Sequence, residues 1–345
     1  MKALVWEGPR QLTVRDVADA RAGSGEVLIG PVAAGVCGSE VEGYLGRQAN
    51  RTPPLMMGHE LAGMVLAAGD GADNSWVGQL VAVNPIVSCR DCRYCAAGAR
   101  NLCRRKGLIG VARPGGFAER VAVPAANLTR LPEGTDGRLG AFIEPMANGV
   151  HAARLGLAGQ RDARAIVIGA GAIGLCAVQA LRLLGAGQID VLEPGARRRE
   201  LSRDLGASAV HESADQLREA VGAASGPRGG DDDGADVVID AVGAAATRQL
   251  AADVTRPHGK VILIGMHDDG SELAFRPIVR DEIVLSGCYA YTDEDFSCAA
   301  EWVAGGRAGP GDLTPARPLS DGPEVFALLA GGGAEQPVRI FLGHG

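Results

Sequence analysis

The chain has 345 residues, enough for two domains of ordinary size. With 46% hydrophobic and 22% charged residues it has the make-up of a soluble globular protein. A net charge of -7 argues against a surface that holds nucleic acid phosphates. The first residues, Met1-Lys2-Ala3-Leu4-Val5-Trp6-Glu7, lack the apolar core of a secretory signal. The longest uncharged apolar stretch, Ala165 to Leu181, is short for a membrane span and carries clustered glycines. The expectation is a cytoplasmic protein with neither nucleic acid nor membrane as partner. In a reducing cytosol, eight cysteines at short spacings suggest metal binding more than disulfides.

In chain order, the first elements are short strands separated by Gly and Pro turns: Ala3-Leu4-Val5-Trp6, Leu12-Thr13-Val14 and Glu26-Val27-Leu28-Ile29. Gly63-Met64-Val65-Leu66 and Leu80-Val81-Ala82-Val83 continue that pattern. From about Ala163 the texture changes to alternating strands and helices. Ala165-Ile166-Val167-Ile168 is a fully apolar strand, and Ala172 to Gly185 has helical character. Ile189-Asp190-Val191-Leu192 is the next strand, followed by a charged helix from Ala196 to Leu205. Ala235 to Asp240 and Lys260 to Ile264 are two more buried-type strands. Apolar strands alternating with helices predict an α/β domain with a doubly wound parallel sheet covered on both faces. Gly222 to Gly234, rich in Gly, Ser, Pro and Asp, reads as a solvated loop. After about Asp281 the alternation fades, and the tail is expected to return to the first domain. The expected division is a β-rich domain over 1–150 and 285–345 and a nucleotide-binding domain over 151–284.

Gly169-Ala170-Gly171-Ala172-Ile173-Gly174 is a Gly-x-Gly-x-x-Gly that follows an apolar strand and opens a helix. In that context the first Gly permits the tight turn, the second lets backbone approach a pyrophosphate, and the third lets helix and strand pack closely. The pyrophosphate would sit at the helix N-terminus, where free N–H groups and the dipole favour an anion. The motif also predicts an acidic residue about 20 positions on, and Glu193 is there. A carboxylate at that point accepts from ribose hydroxyls and repels a 2′-phosphate, which favours NAD over NADP. Arg197, Arg198 and Arg199 temper that preference. A Gly-rich turn without a ligand is the competing reading.

Cys89, Cys92, Cys95 and Cys103 form Cys-x2-Cys-x2-Cys-x7-Cys within a lobe at about 86–106. Four thiolates on one short loop match a closed, tetrahedral structural zinc site. A bacterial ferredoxin run spaces its fourth cysteine three residues on and follows it with Pro. Here the gap is seven and Arg104 follows, so zinc is preferred. A zinc-ribbon nucleic-acid module fits poorly with the acidic net charge.

Cys37-Gly38-Ser39-Glu40 and Gly58-His59-Glu60 remain. Taken with the dinucleotide turn, the four-cysteine lobe, Gly115-Gly116-Phe117-Ala118-Glu119 and Glu144-Pro145-Met146-Ala147, they resemble the zinc-containing medium-chain dehydrogenase/reductase family, in its sorbitol and threonine dehydrogenase branch. The resemblance implies a Rossmann domain joined to a GroES-like catalytic domain. It implies a catalytic zinc held by Cys37 and His59, with Glu60 and Glu144 as direct, alternating or water-mediated partners, beside the structural zinc. In the family's place for a proton-relaying hydroxyl stands Ser39, and Glu40 matches the carboxylate that orients a zinc-bound imidazole. Cofactor contacts are implied at Gly169, Gly171, Ile173, Gly174, Glu193 and Arg198, and at Ile264, Gly265, Met266, Tyr289 and Tyr291 near the nicotinamide. The implied activity is hydride transfer between a secondary alcohol, as in a polyol, cyclitol, sugar or amino-alcohol, and NAD, in a homodimer or homotetramer.

The chain departs from the branch in three places. Many relatives carry a relay His three residues after the Ser, where this chain has Glu42. Sorbitol dehydrogenases carry a pocket Tyr next, where this chain has Gly43, and an Arg before a later Tyr, where it has Ala290 before Tyr291. Glu42 is read as completing a proton relay or recognising the substrate, with an exposed surface carboxylate as the alternative. Two other functions are weighed: a zinc-free, NADPH-dependent reductase of the same superfamily, and a non-catalytic protein that binds NAD or zinc. Cys37, His59, Glu60 and Glu193 weigh against the first, and the absence of any missing catalytic ligand weighs against the second.

Overall fold

The computed structural model describes every residue except 225–233, 334–335 and 344–345. It divides into two compact units: Met1–Glu144 with Thr292–Gly345, and Pro145–Tyr291.

The first unit is β-rich. Its main sheet is built around the strand Glu26–Gly35, which pairs antiparallel with Glu60–Ala68, with Val121–Pro124 and with Phe341–Gly343. The last pairing sets Phe341 opposite Gly35, while Gly35 also faces Glu60. The C-terminal strand and the start of the Glu60 strand thereby flank Gly35 on opposite sides. Burial alternates along most of Glu26–Gly35 and is continuous over Ala3–Trp6 in Lys2–Gly8, and Leu4, Val27, Ile29 and Ala34 join one core with Met57, Leu61, Phe117 and Phe326. Phe117 meets Phe326 edge-on, with centroids 5.9 Å apart.

The second unit holds six strands, all parallel. Across the sheet they run Ala209–His211, Gln188–Leu192, Arg164–Ile168, Ala235–Asp240, Thr255–Leu263 and Val284–Gly287. Numbered along the chain, that order is 3-2-1-4-5-6, the Rossmann arrangement. It follows from strands such as Arg164–Ile168, whose Ala165, Ile166 and Val167 are fully buried because helices cover both faces. The helices Ala172–Leu184 and Ala196–Asp204 lie where the sequence places them. The order reverses between Arg164–Ile168 and Ala235–Asp240, where such sheets bind ligands.

The chain leaves this unit at Tyr291 rather than at 284, because Val284–Gly287 still pairs with Thr255–Leu263 as the outermost parallel strand. Most of the stretch read as a solvated loop, 225–233, lies outside the described residues. Among the described residues, no helix is long and apolar enough to cross a membrane.

Candidate metal centre and dinucleotide site

Cys37 caps the short helix Gly38–Tyr44, and His59 follows a turn made by Gly58. Gly58 has φ +99°, and a Cβ there would stand 2.7 Å from the Phe117 nitrogen, so the position demands glycine. The Gly115–Phe117 segment packs over this turn, with the Gly116 N–H donating to the Gly58 carbonyl at 2.7 Å and the Phe117 N–H to that of Met57 at 3.1 Å. Helix start and turn thus bring Cys37, His59 and Glu60 together, each offering a ligand atom within 4.8 Å of the other two. Glu144, buried in the helix Gly137–Leu157, does not join that group.

Glu40 organises the site from beneath. Fully buried, it accepts from His59 Nδ1 at 2.8 Å and from the N–H groups of Gly58 at 2.7 Å, His59 at 3.1 Å and Cys37 at 3.1 Å. Burial alone would raise its pKa, but the His59 ring, the Arg51 charge and the Cys37 N–H hold it below the ordinary carboxylate value. Held through Nδ1, the imidazole keeps Nε2 for a ligand. The His59 pKa is raised well above 6.5: burial works against the charged ring, and Glu40 and Cys37 outweigh it. Surroundings that favour an imidazolium favour a divalent cation for the same reason.

Glu60 is buried beside them. Its Oε2 accepts from Arg339 Nη1, while its Oε1 is buried without a hydrogen-bond partner. A buried carboxylate oxygen left open next to a thiol and an imidazole is what a metal ion would satisfy. The donor set of one sulfur, one nitrogen and one oxygen suits zinc in an open, three-ligand site. Cys37, His59 and Ser39 are only partly buried, which leaves an approach for substrate. The Ser39 hydroxyl donates to Cys37 Sγ at 3.4 Å. Glu42 does not reach it; its carboxylate is turned to solvent and paired with Arg47 at 3.3 Å.

The four lobe cysteines also converge, with sulfur separations of 3.4 Å (Cys103–Cys89), 3.6 Å (Cys92–Cys95) and 3.8 Å (Cys89–Cys95). Zinc–sulfur bonds of about 2.3 Å in a tetrahedron put the sulfurs roughly 3.8 Å apart, so the tetrad fits a zinc ion. These separations are far from the roughly 2 Å of a disulfide bond.

In the second unit, Gly169 takes φ +91°, and a Cβ on Gly174 would lie 1.8 Å from the Gly169 carbonyl oxygen. A Cβ on Gly171 would meet nothing within 4 Å, so the centre of the turn faces open space, as a pyrophosphate cradle requires. Ile173, at the start of the helix, is partly buried. Glu193 spans the turn: its carboxylate accepts from the Ala170 N–H at 2.8 Å and the Gly195 N–H at 2.9 Å. Arg199 donates to the Glu193 carbonyl at 3.0 Å, and Arg198 is partly buried. Ile264 and Gly265 donate their N–H groups to the Asp240 carbonyl, at the end of the neighbouring strand. Met266 and Tyr289 are exposed, while Tyr291 is 1% exposed and belongs to the core.

Two residues at the metal centre carry no mark in the sequence. Arg339 is 279 positions from Glu60 and reaches it only through the C-terminal strand pairing. Arg51 is buried and donates to Ser39 Oγ at 3.3 Å. A cluster of charge near a motif would have been the only signal, and neither has one.

Residues 23–133 match the model of the alcohol dehydrogenase GroES-like domain, and residues 172–305 match that of the zinc-binding dehydrogenases. The chain is 30% identical over 313 residues to 2-dehydro-3-deoxy-L-galactonate 5-dehydrogenase of Pseudoalteromonas atlantica, covering 89% of each. It is 30% identical over 305 residues to (R,R)-butanediol dehydrogenase of Bacillus subtilis, covering 85% of each. A short chain alcohol dehydrogenase of Escherichia coli CFT073, solved with the cofactor NADH, superposes with a TM-score of 0.89 at 26% identity, over 100% of this chain and 99% of that one. With the GroES-like model and then the zinc-binding dehydrogenase model matched along the chain, it belongs to the zinc-containing medium-chain alcohol dehydrogenase family, whose members are oxidoreductases that act on a CH–OH group with zinc and a nicotinamide cofactor.

Proposed function

We propose that the protein oxidises a secondary alcohol of a small polyhydroxylated substrate, a polyol, cyclitol, sugar, sugar acid or amino-alcohol, with NAD as hydride acceptor. The observation that carries this reading is the open Glu60 Oε1 beside Cys37 and His59. In this assignment Cys37, His59 and Glu60 hold the catalytic zinc, and Cys89, Cys92, Cys95 and Cys103 hold a structural one. Zinc at the first site would polarise the substrate oxygen and favour loss of its proton. The chain's own residues do the rest. Glu40 keeps the imidazole turned so that Nε2 is the ligand nitrogen, Ser39 offers a hydroxyl beside Cys37 Sγ, and Arg339 neutralises Glu60. Glu144 is assigned a supporting part, at most through water.

On the second unit, Gly169, Gly171 and Gly174 cradle the pyrophosphate, with Ile173 and Arg198 flanking it. Ile264, Gly265, Met266 and Tyr289 border the nicotinamide end. Glu193 braces the turn with both oxygens and still has lone pairs for ribose hydroxyls. Its negative charge supports NAD over NADP. Relatives named for an aldonate and for butanediol support a hydroxylated substrate. A cytoplasmic location agrees with the four closely spaced thiols. Assembly into a dimer or tetramer draws support from the outermost strand Val284–Gly287 and the neighbouring exposed Val279 and Phe275.

The test is reduction of NAD and of NADP, followed at 340 nm, across a panel of polyols, aldonates and amino-alcohols. Faster turnover of at least one secondary alcohol with NAD supports the reading. Turnover of enones with NADPH alone would favour the zinc-free reductases, and no turnover with a bound dinucleotide would favour a non-catalytic role.

A further inference from the structure

Arg51 is 6% exposed and sits beside the metal centre. Its Nε donates to Gln48 Oε1 at 3.2 Å, its Nη1 to the Gly110 carbonyl at 2.9 Å, and its Nη2 to Ser39 Oγ at 3.3 Å. Two of these partners fix the guanidinium, and the third is the hydroxyl next to Cys37. The neighbouring helix makes room for it. A Cβ on Gly43 would stand 2.5 Å from Arg51 Cδ and 2.8 Å from Nε, so any larger residue there displaces the arginine. Gly43, an unexplained departure in the sequence, is the vacancy that Arg51 fills.

The chemistry of the two groups then constrains Ser39. A guanidinium has five donors, no acceptor, and keeps its proton throughout the accessible pH range. A serine hydroxyl has one proton and two lone pairs. With Arg51 donating into one lone pair, the single Ser39 proton is directed elsewhere, and in this structure it points to Cys37 Sγ at 3.4 Å. A proton that reaches Ser39 cannot pass on to Arg51. Glu42, at the position from which a side chain could continue such a path, faces solvent and pairs with Arg47.

We propose that Arg51 is a positioning residue for the dehydrogenase reaction, which fixes the Ser39 hydroxyl against Cys37 and caps a Ser39 lone pair without acting as a base. The proposal rests on the zinc alcohol dehydrogenase reading and deepens it. It also gives a reason for Gly43 and Arg51 to occur together in one chain.

The test is a double-mutant cycle of Arg51→Met and Ser39→Ala in the full-length protein, read in two ways. The first is steady-state kcat and KM with the best alcohol. The second is the thiolate-to-metal absorption of protein loaded with cobalt in place of zinc, where the unchanged four-cysteine contribution cancels between variants. Arg51→Met is expected to lower kcat about tenfold to a hundredfold, the range one hydrogen bond from a charged donor supports, with KM for NAD unchanged. In the Ser39→Ala background it should cost less than about threefold more. The cobalt band should shift on Arg51→Met and stay fixed when the same change is made on Ser39→Ala. Arg51→Lys should restore part of kcat. Full multiplication of the two effects, or an unmoved cobalt band in Arg51→Met, would overturn the proposal while leaving the enzyme reading intact. A parent protein that takes no cobalt at Cys37 would overturn the metal reading itself. Should Arg51→Met not fold, Gly43→Ala displaces the guanidinium without removing it and enters the same cycle against Ser39→Ala.

Discussion

Replacing Arg339 with Met tests the buried charge pair on which the metal centre leans. Arg339 and Glu60 are 4% and 1% exposed, so neither charge is shared with water. Removing one partner of such a pair leaves an uncompensated buried charge and costs about 3–5 kcal/mol. At about 2–4 °C per kcal/mol for a unit of this size, Tm should fall by roughly 6–20 °C in chelator-treated protein. Two further results follow from the geometry. Replacing both partners, Glu60→Met with Arg339→Met, should recover most of the loss, because no charge is left stranded. Adding zinc should raise the Tm of Arg339→Met more than that of the parent, since a cation in the Cys37–His59–Glu60 group takes over the neutralisation of Glu60. Differential scanning calorimetry with and without chelator measures all three. An unchanged Tm for zinc-free Arg339→Met, or a double variant as unstable as the single one, would show that Glu60 does not depend on Arg339 for its compensation.

Cys103→Ser should remove one equivalent of zinc, leave the other in place, and open the 86–106 lobe to proteolysis; metal analysis with limited trypsin digestion checks it. Glu193→Ala takes away a carboxylate that accepts two backbone N–H groups of the dinucleotide turn, so the Kd for NADH should rise about tenfold to a hundredfold by fluorescence titration, and NAD should lose ground to NADP. Asp236 gives a pH dependence. Burial alone would raise its carboxyl, but the Arg164 N–H at 2.7 Å, Arg256 Nε at 2.7 Å and Gln160 at 3.0 Å outweigh it and hold the pKa below 3.8. A group lowered in the folded state stabilises above its unfolded pKa and loses that contribution as pH falls through the folded value. Asp236→Asn should therefore lower Tm near neutral pH and make the decline of Tm below about pH 4 shallower than in the parent.

The sequence was most legible where chemistry is local. The glycine turn at 169–174 and the cysteine run at 89–103 are short, and their spacing alone fixes which atoms meet. The strands of the parallel sheet were legible because strands buried on both faces, such as Arg164–Ile168, read as unbroken apolar runs. Val284–Gly287 escaped notice because it is an edge strand of four residues, partly exposed, with no such run. The helix Gly137–Leu157 was hidden by Pro145 and by four glycines, which would ordinarily argue against a helix. At Gly149 a Cβ would lie 2.5 Å from the Cys176 backbone, so close packing rather than propensity decides that residue. In the candidate metal group, Cys37, His59 and Glu60 stand in motifs that can be picked out of the sequence, but Arg51 and Arg339 do not. Each arrives from elsewhere in the chain, and no periodicity or spacing connects it to its partner. Glu42 shows the reverse: its position suggested a role that its exposure and its pairing with Arg47 do not support.

The proposed function places two metal sites with different duties in one chain. The most direct measurement is zinc content and NAD-linked alcohol oxidation, taken together on the parent and on Cys37→Ala. The expected result is about two zinc per chain in the parent, about one in Cys37→Ala with the fold intact by circular dichroism, and turnover lost in that variant and in chelator-treated parent. One zinc per chain in the parent, or full alcohol oxidation by Cys37→Ala, would contradict it.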